Sequence, residues 1–180
     1  IEIGLLMYPA AQMAAVLGIT DLFTLAQQLA ARHASEQGEL PVLQVTHWYL
    51  DENTGMLQRE GSELAIQQNT PHFLIIPPSL DQPISEQAAK PYVEGLIALH
   101  QAGTLLVSIC AGAFLLAETG MLNGRTITTH WLYEEKFSLR FPQVQVDVDQ
   151  LIIDGDDIIT AGGLMSWTDL GLRIVDRYLG

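Results

Sequence analysis

The chain lacks most of what would place it outside a cell, in a membrane or on nucleic acid. One cysteine in 180 residues cannot close a disulfide within the chain, which excludes the small secreted scaffolds held by such bridges. No charged leader, apolar plug and small-residue cleavage site opens it, and no unbroken apolar run approaches the roughly 18 residues of a membrane span, so a cytoplasmic protein without membrane contact is expected. Positive charge is scarce as well. Eight Lys and Arg against 21 Asp and Glu give a formal net charge of −13, which repels a phosphate backbone and argues against direct contact with DNA. No two histidines have metal-ligand spacing, and the acidic pair Asp156-Asp157 falls in an expected turn, where a solvated face explains it. Neither a metal nor another cofactor is expected.

What is present suits one packed domain. With 48% hydrophobic and 16% charged residues, the chain can build a buried core unaided. It begins at Ile1 and ends at Gly180 directly after an amphipathic pattern, so it is expected to be a piece of something longer. Short apolar runs alternate with helical patterns. Ile1 to Tyr8 predicts a buried strand, Gln12 to His33 a helix, and "PVLQVTHWYLDE" a strand leading through a Gly55 turn into a hairpin. "HFLIIPP" and "TLLVSI" predict buried strands on either side of a helix that tolerates Pro91 near its start and ends at Gly103. Further on come a helix from Ala113 to Thr119, a strand "TITT", a helical "LYEEKFSLRF", two strands joined at Asp154-Gly155, and a closing helix. Strands apolar at every position and alternating with helices predict an α/β fold, a mostly parallel sheet covered on both faces.

The lone cysteine sits where such a sheet binds ligands. "SICAG" places Cys110 at a strand's carboxyl end, followed by Ala111, Gly112 and Ala113, as in the strained strand-turn-helix elbow of a nucleophile. A helix starting just after the sulfur is expected to favour the thiolate. Cysteine is also among the residues most often buried as a plain hydrophobe, but the elbow context favours reactivity. Histidine is the usual base for such a group. His33 and His100 sit at expected helix ends, and His47 and His72 lie by strands with no visible partner. His130 in "TITTHW" ends a strand and is expected near Cys110 if the two strands are neighbours, although packing beside Trp131 would explain it equally well.

Together with "LMYPAAQMAAVLGITDLF" and "ITAGGLMSWTDLGLRIVDRYLG", the segment "VSICAGAFLLAETGMLNGRTITTHW" resembles the ThiJ/PfpI branch of the glutamine-amidotransferase-like fold. The likeness is strongest to the amino-terminal sensor half of AraC-type transcription regulators. The resemblance implies a flavodoxin-like three-layer sandwich over residues 1–180, a cysteine facing a small pocket, a homodimer, and a carboxyl-terminal helix-turn-helix domain beyond this chain. Enzymatic members carry an acid beside the cysteine, and its place here is taken by Ala15. Where many members have a Pro-Gly-Gly turn whose N–H groups bind an oxyanion, "IIPPS" offers Pro78, which has none, and leaves Ser79 N–H as the remaining donor. No histidine follows His130, so glutaminase activity is not expected.

These departures favour a pocket that recognises a small-molecule effector over one that transforms it. Its expected ligand-binding residues are Ser79, Cys110, Ala111, His130, Trp131 and the Ala15 position, and DNA would be contacted only through the other domain. Two alternatives stay open: a small hydratase or hydrolase with Cys110 and His130 as catalytic residues, and a redox sensor in which Cys110 is oxidised.

Overall fold

The computed structural model describes residues 1–33, 41–60 and 70–179. In chain order its elements are β1 (Glu2–Leu6), α1 (Met13–His33), β2 (Gln44–Leu50), β3 (Leu57–Arg59), β4 (Phe73–Ile76), α2 (Glu86–Gln101), β5 (Leu105–Ile109), α3 (Gly112–Ala117), β6 (Thr126–Ile127), a 3-10 turn (Trp131–Tyr133), α4 (Glu134–Arg140), β7 (Gln145–Val146), β8 (Ile152–Asp154), β9 (Ile158–Ala161) and α5 (Trp167–Leu179). Seven strands form one sheet in the order β3-β2-β1-β4-β5-β9-β8. The inner five are parallel, and β3 and β8 run antiparallel at the edges. Numbered by themselves, the parallel strands run 2-1-3-4-5, the flavodoxin-like order, whose switch point lies between β1 and β4.

The two-residue period of the strands divides the core into two layers. Ile3, Leu5, Phe73, Ile75, Val107 and Ile109 pack under α1 and α5 through Val16, Ile19, Phe23, Leu170 and Ile174. Leu6, Leu74, Ile76 and Leu106 face the other way, toward Leu96 and Leu99 of α2, Phe114 of α3 and Phe137 of α4. This is the expected three-layer sandwich. Ser85 starts α2, its Oγ accepting from Ala88 N at 3.3 Å, and Gly103 follows the helix with φ +96°, where a side chain would be strained. Trp48 and Trp167 are packing residues: Trp48 is buried, and Trp167 lies so close over α1 that a Cβ on Gly18 would meet its ring at 2.4 Å.

One helix shows more than its apolar runs announce, and one expectation needs correction. Within α1, Met13–Arg32 is long and apolar enough to cross a membrane by length and composition, because its polar positions are mostly uncharged Thr and Gln. It packs Ala15, Val16, Ile19 and Phe23 inward instead. The strand read in "TITT" does form, but outside the main sheet, pairing with β7 as a two-stranded ribbon. The place beside β5 is taken by β9. Residues 61–69, which would continue past the Gly55 hairpin, lie outside the described residues.

Candidate functional site

Cys110 ends β5 and is one of two described non-glycine residues with positive φ, at 54°. Holding an L-residue there costs energy, so the surroundings must enforce it. Two contacts do so. Cys110 N donates to Ala161 O of β9 at 2.8 Å, and Thr129 Oγ1 donates to Cys110 O at 2.7 Å. Gly112 then lets the chain turn into α3 against β4, since a Cβ there would meet Ile76 O at 2.6 Å and Pro77 O at 2.8 Å. The strained elbow expected from "SICAG" is thus formed.

Its chemistry differs from the expectation. Cys110 is buried, and burial pushes its thiol up to about 11, with the Ala111 N–H pulling only weakly the other way. α3, which follows the sulfur, is six residues long. Burial thus shifts the sulfur toward its protonated thiol form. Two phenols share its surroundings. Tyr8, beyond the end of β1, has its pKa raised by burial and by Cys110 and the neighbouring Tyr133 and Tyr92, and its hydroxyl donates to Pro77 O at 2.7 Å. Tyr133 is shifted in the same direction by burial and then by Cys110 and Asp81.

The other expected site residues are placed unevenly. Ala111 is buried at the start of α3. Ser79 is buried in a bridge to Ala11, whose two hydrogen bonds, Gln12 N to Pro78 O and Leu80 N to Ala10 O, do not use the Ser79 N–H. Ala15 is fully buried on α1 and brings no carboxylate. Three residues earlier, Gln12 is also buried, its Oε1 without a partner among the described residues. His130 is half-buried, and its Nδ1 accepts from Leu132 N at 3.2 Å, which spends that nitrogen on starting the 3-10 turn. Its ring stacks on Trp131, which is 67% exposed, with centroids 5.6 Å apart. Among the described residues no hydrogen bond joins His130 to Cys110.

Thr129, Tyr8 and Tyr133 are the neighbours that sequence reasoning passed over. Tyr8 carried a usable signal, since it stands directly before Pro9 at the carboxyl end of a buried strand, where this kind of sheet collects ligand contacts. Tyr133 reaches the elbow only through the short turn after His130, and no periodicity announces that.

A mostly parallel, doubly wound sheet with a cysteine elbow at its carboxyl edge defines the class, an α/β sandwich of the flavodoxin-like order. Residues 63–177, more than half of the chain, match the model of the DJ-1/PfpI family, and the chain belongs to that family. Among curated proteins it is similar to the HTH-type transcriptional regulator CdhR of Pseudomonas aeruginosa, 39% identical over 88 residues that make up 49% of this chain and 26% of the regulator. It is also similar to the isonitrile hydratase of Pseudomonas putida, 29% identical over 75 residues covering 42% of this chain and 32% of the hydratase. The matched segments span a quarter to a third of the length of such relatives. The solved structure of an AraC family transcriptional regulator from Pseudomonas putida shares the fold, with a TM-score of 0.71 at 19% identity, covering 99% of this chain and 92% of the other.

Proposed function

We propose that this chain is the small-molecule-sensing domain of an AraC-type transcription regulator, and that its Cys110 pocket recognises a ligand without transforming it. The observation that carries the reading is the set of neighbours around the cysteine. With Ala15 in place of an acid, His130 Nδ1 accepting from Leu132 N and no hydrogen bond from His130 to Cys110 among the described residues, the thiol lacks the partners that activate a nucleophile, and burial raises its pKa further. The similarity to HTH-type regulators supports the same assignment, and the net charge of −13 fits a division of labour in which another domain supplies the basic surface for DNA. In this reading the ligand meets Ser79, Ala111, His130 and Trp131 around the elbow, the protein works as a cytoplasmic homodimer, and dimerisation matches two DNA half-sites.

The test uses the longer protein encoded by the same reading frame. A library of neutral, anionic and cationic metabolites is screened for a rise in melting temperature, and each hit is then tested for altered retention of the protein's own promoter DNA. At least one hit that shifts both supports sensing. Hits in neither assay, or a sequence beyond Gly180 with no helix-turn-helix pattern, overturn it.

The retained elbow, with φ 54° at Cys110, favours a second reading as a cysteine hydratase of the kind named in the isonitrile hydratase relative. Turnover of an isonitrile by the wild type and not by Cys110→Ala would establish that activity. Equal, negligible turnover in both removes it.

A further inference from the structure

The residues around which the ligand is proposed to sit are closed to solvent. Ser79 is 6% exposed, Cys110 2% and Ala111 1%, so an occupant of the elbow must displace something to arrive. Of the neighbours Thr129, Tyr8 and Tyr133, two are pinned. Thr129 Oγ1 donates to Cys110 O at 2.7 Å, and Tyr8, itself buried, donates to Pro77 O at 2.7 Å. Tyr133 is different. It is half-buried, it packs against both core layers, and its hydroxyl makes no hydrogen bond among the described residues.

Little holds the backbone that carries Tyr133. It lies in the 3-10 turn Trp131–Tyr133, which buries none of its three side chains and leaves Trp131 67% and Leu132 62% exposed. The turn's hydrogen bonds are local, including Leu132 N to His130 Nδ1 at 3.2 Å and Tyr133 N to His130 O at 2.8 Å. Directly after it α4 is fixed. Phe137 is fully buried with its ring 4.9 Å from that of Phe114, and Arg140 donates to Ile84 O at 2.7 Å. A 3-10 turn has poorer hydrogen-bond geometry than the α-helix it leads into, and an element with few buried contacts opens at low free energy. Among the described residues one side-chain hydrogen bond, Lys136 Nζ to Gln82 Oε1 at 3.0 Å, ties residues 130–136 to the loop that follows Ser79.

We infer that the Trp131–Tyr133 turn is a gate over the Cys110 pocket, and that Tyr133 swings outward on the anchored α4 to admit the ligand. The inference rests on the sensing reading above and adds the step by which the effector reaches its site. Trp131 and Leu132 travel with the gate, so opening changes the apolar surface shown at this edge of the sheet.

Alkylation of Cys110 by iodoacetamide at fixed pH, followed by mass spectrometry of its peptide, reports the opening. In the wild-type chain the rate is expected to stay flat across low urea concentrations, because a local opening exposes little surface. Lys136→Ala takes no atom from the wall of the pocket and is expected to react about threefold faster, the effect of one exposed hydrogen bond. Tyr133→Ala is expected to react about tenfold faster, and Tyr133→Phe at the wild-type rate, since the lost hydroxyl had no partner. Melting temperatures confirm that the variants fold, and the exposed Lys136 keeps the test independent of any substitution in the turn. A rate that climbs with urea from the outset, at the slope of global unfolding, overturns the gate. So does a Lys136→Ala rate equal to wild type, because a fast Tyr133→Ala alone shows a fixed wall. Failure here is separable from failure of sensing: if no variant speeds alkylation while a metabolite shifts both melting temperature and DNA retention, the gate falls and sensing stands. If the variants react faster and no metabolite shifts both, the gate stands and sensing falls.

Discussion

The two edges of the sheet are built from opposite kinds of chemistry. Along the amino edge, charges are buried or half-buried and paired. Glu2, 5% exposed, takes Arg59 Nε and Nη2 at 2.7 and 2.6 Å and Thr46 Oγ1 at 2.7 Å, and the Arg59 guanidinium lies 5.2 Å over the Trp48 ring. At the start of β9, Asp157 receives both Arg125 nitrogens, at 2.6 and 2.8 Å, and meets His100 Nε2 at 2.9 Å. The carboxyl edge around Cys110 holds a thiol, phenols, hydroxyls and alanines, and its titratable groups are pushed toward their neutral forms. One edge ties its strands together with ion pairs. The other holds the elbow with neutral hydroxyls, those of Thr129 and Tyr8, which donate to Cys110 O and Pro77 O.

The largest effect is expected where the structural edge is broken. Arg59→Met leaves the buried Glu2 carboxylate with Thr46 alone, and stranding one member of such a pair is worth about 3–5 kcal/mol. Denaturant unfolding of the variant should show that loss, while the double variant Glu2→Met with Arg59→Met should recover much of it, since two apolar side chains leave no charge stranded. A single variant as stable as wild type would mean that water reaches Glu2 and that this edge is not held by its ion pair.

A middling effect is expected at the elbow, with pH as the variable. The Cys110 thiol is raised in the folded protein, from 9.0 to about 11, so its neutral form is the one that folding favours. The stability this contributes is complete below the pKa of the unfolded thiol and is lost as pH rises from about 9 to about 11, amounting to at most about 3 kcal/mol. Cys110→Ala should therefore flatten the alkaline limb of a stability-against-pH curve. At neutral pH the same shift should make alkylation of Cys110 by iodoacetamide on the order of 100-fold slower than that of a small free thiol. Rapid alkylation at pH 7 would show a thiolate and return the cysteine enzyme to the front.

That contrast also explains what was legible in the sequence. The strands β1, β4, β5 and β9 are apolar except at Glu2, Ser108 and Thr160, so their order of appearance and parallel pairing could be read from "EIGLL", "FLII", "LLVSI" and "IITA". The elbow could be read too, because a cysteine followed by Ala-Gly-Ala at a strand end leaves few other geometries. The ionisation state of Cys110 could not. It is set mainly by burial, and the neighbours Tyr8, Thr129 and Tyr133 come from two segments distant in the chain from Cys110, the end of β1 and the stretch around the 3-10 turn. His130 shows the same limit. Its place after "TITT" was readable, yet the strand that carries it joins β7, and Nδ1 is turned to Leu132 N rather than to the sulfur.

The smallest effect is expected at Asp157, and its sign is opposite to that at the elbow. The Arg125 guanidinium, helped by His100, holds the Asp157 carboxyl well below the usual carboxylate range, so folding favours its charged form. The stability this confers is present above the ordinary carboxylate pKa and is lost as pH falls through and below about 4. Asp157 is 39% exposed and Arg125 41%, so solvent screens the cluster and the contribution should not exceed about 1 kcal/mol. Asp157→Asn should accordingly lose stability slightly at pH 7 and show a shallower decline between pH 5 and pH 2 than wild type, with added salt narrowing the difference. Identical acid limbs in the two proteins would show that the cluster is solvated and energetically idle, leaving the Glu2 and Arg59 pair as the only ionic tie argued for this edge. A steeper acid limb in the variant would reverse the assignment, because it would mean that the carboxylate opposes the folded state.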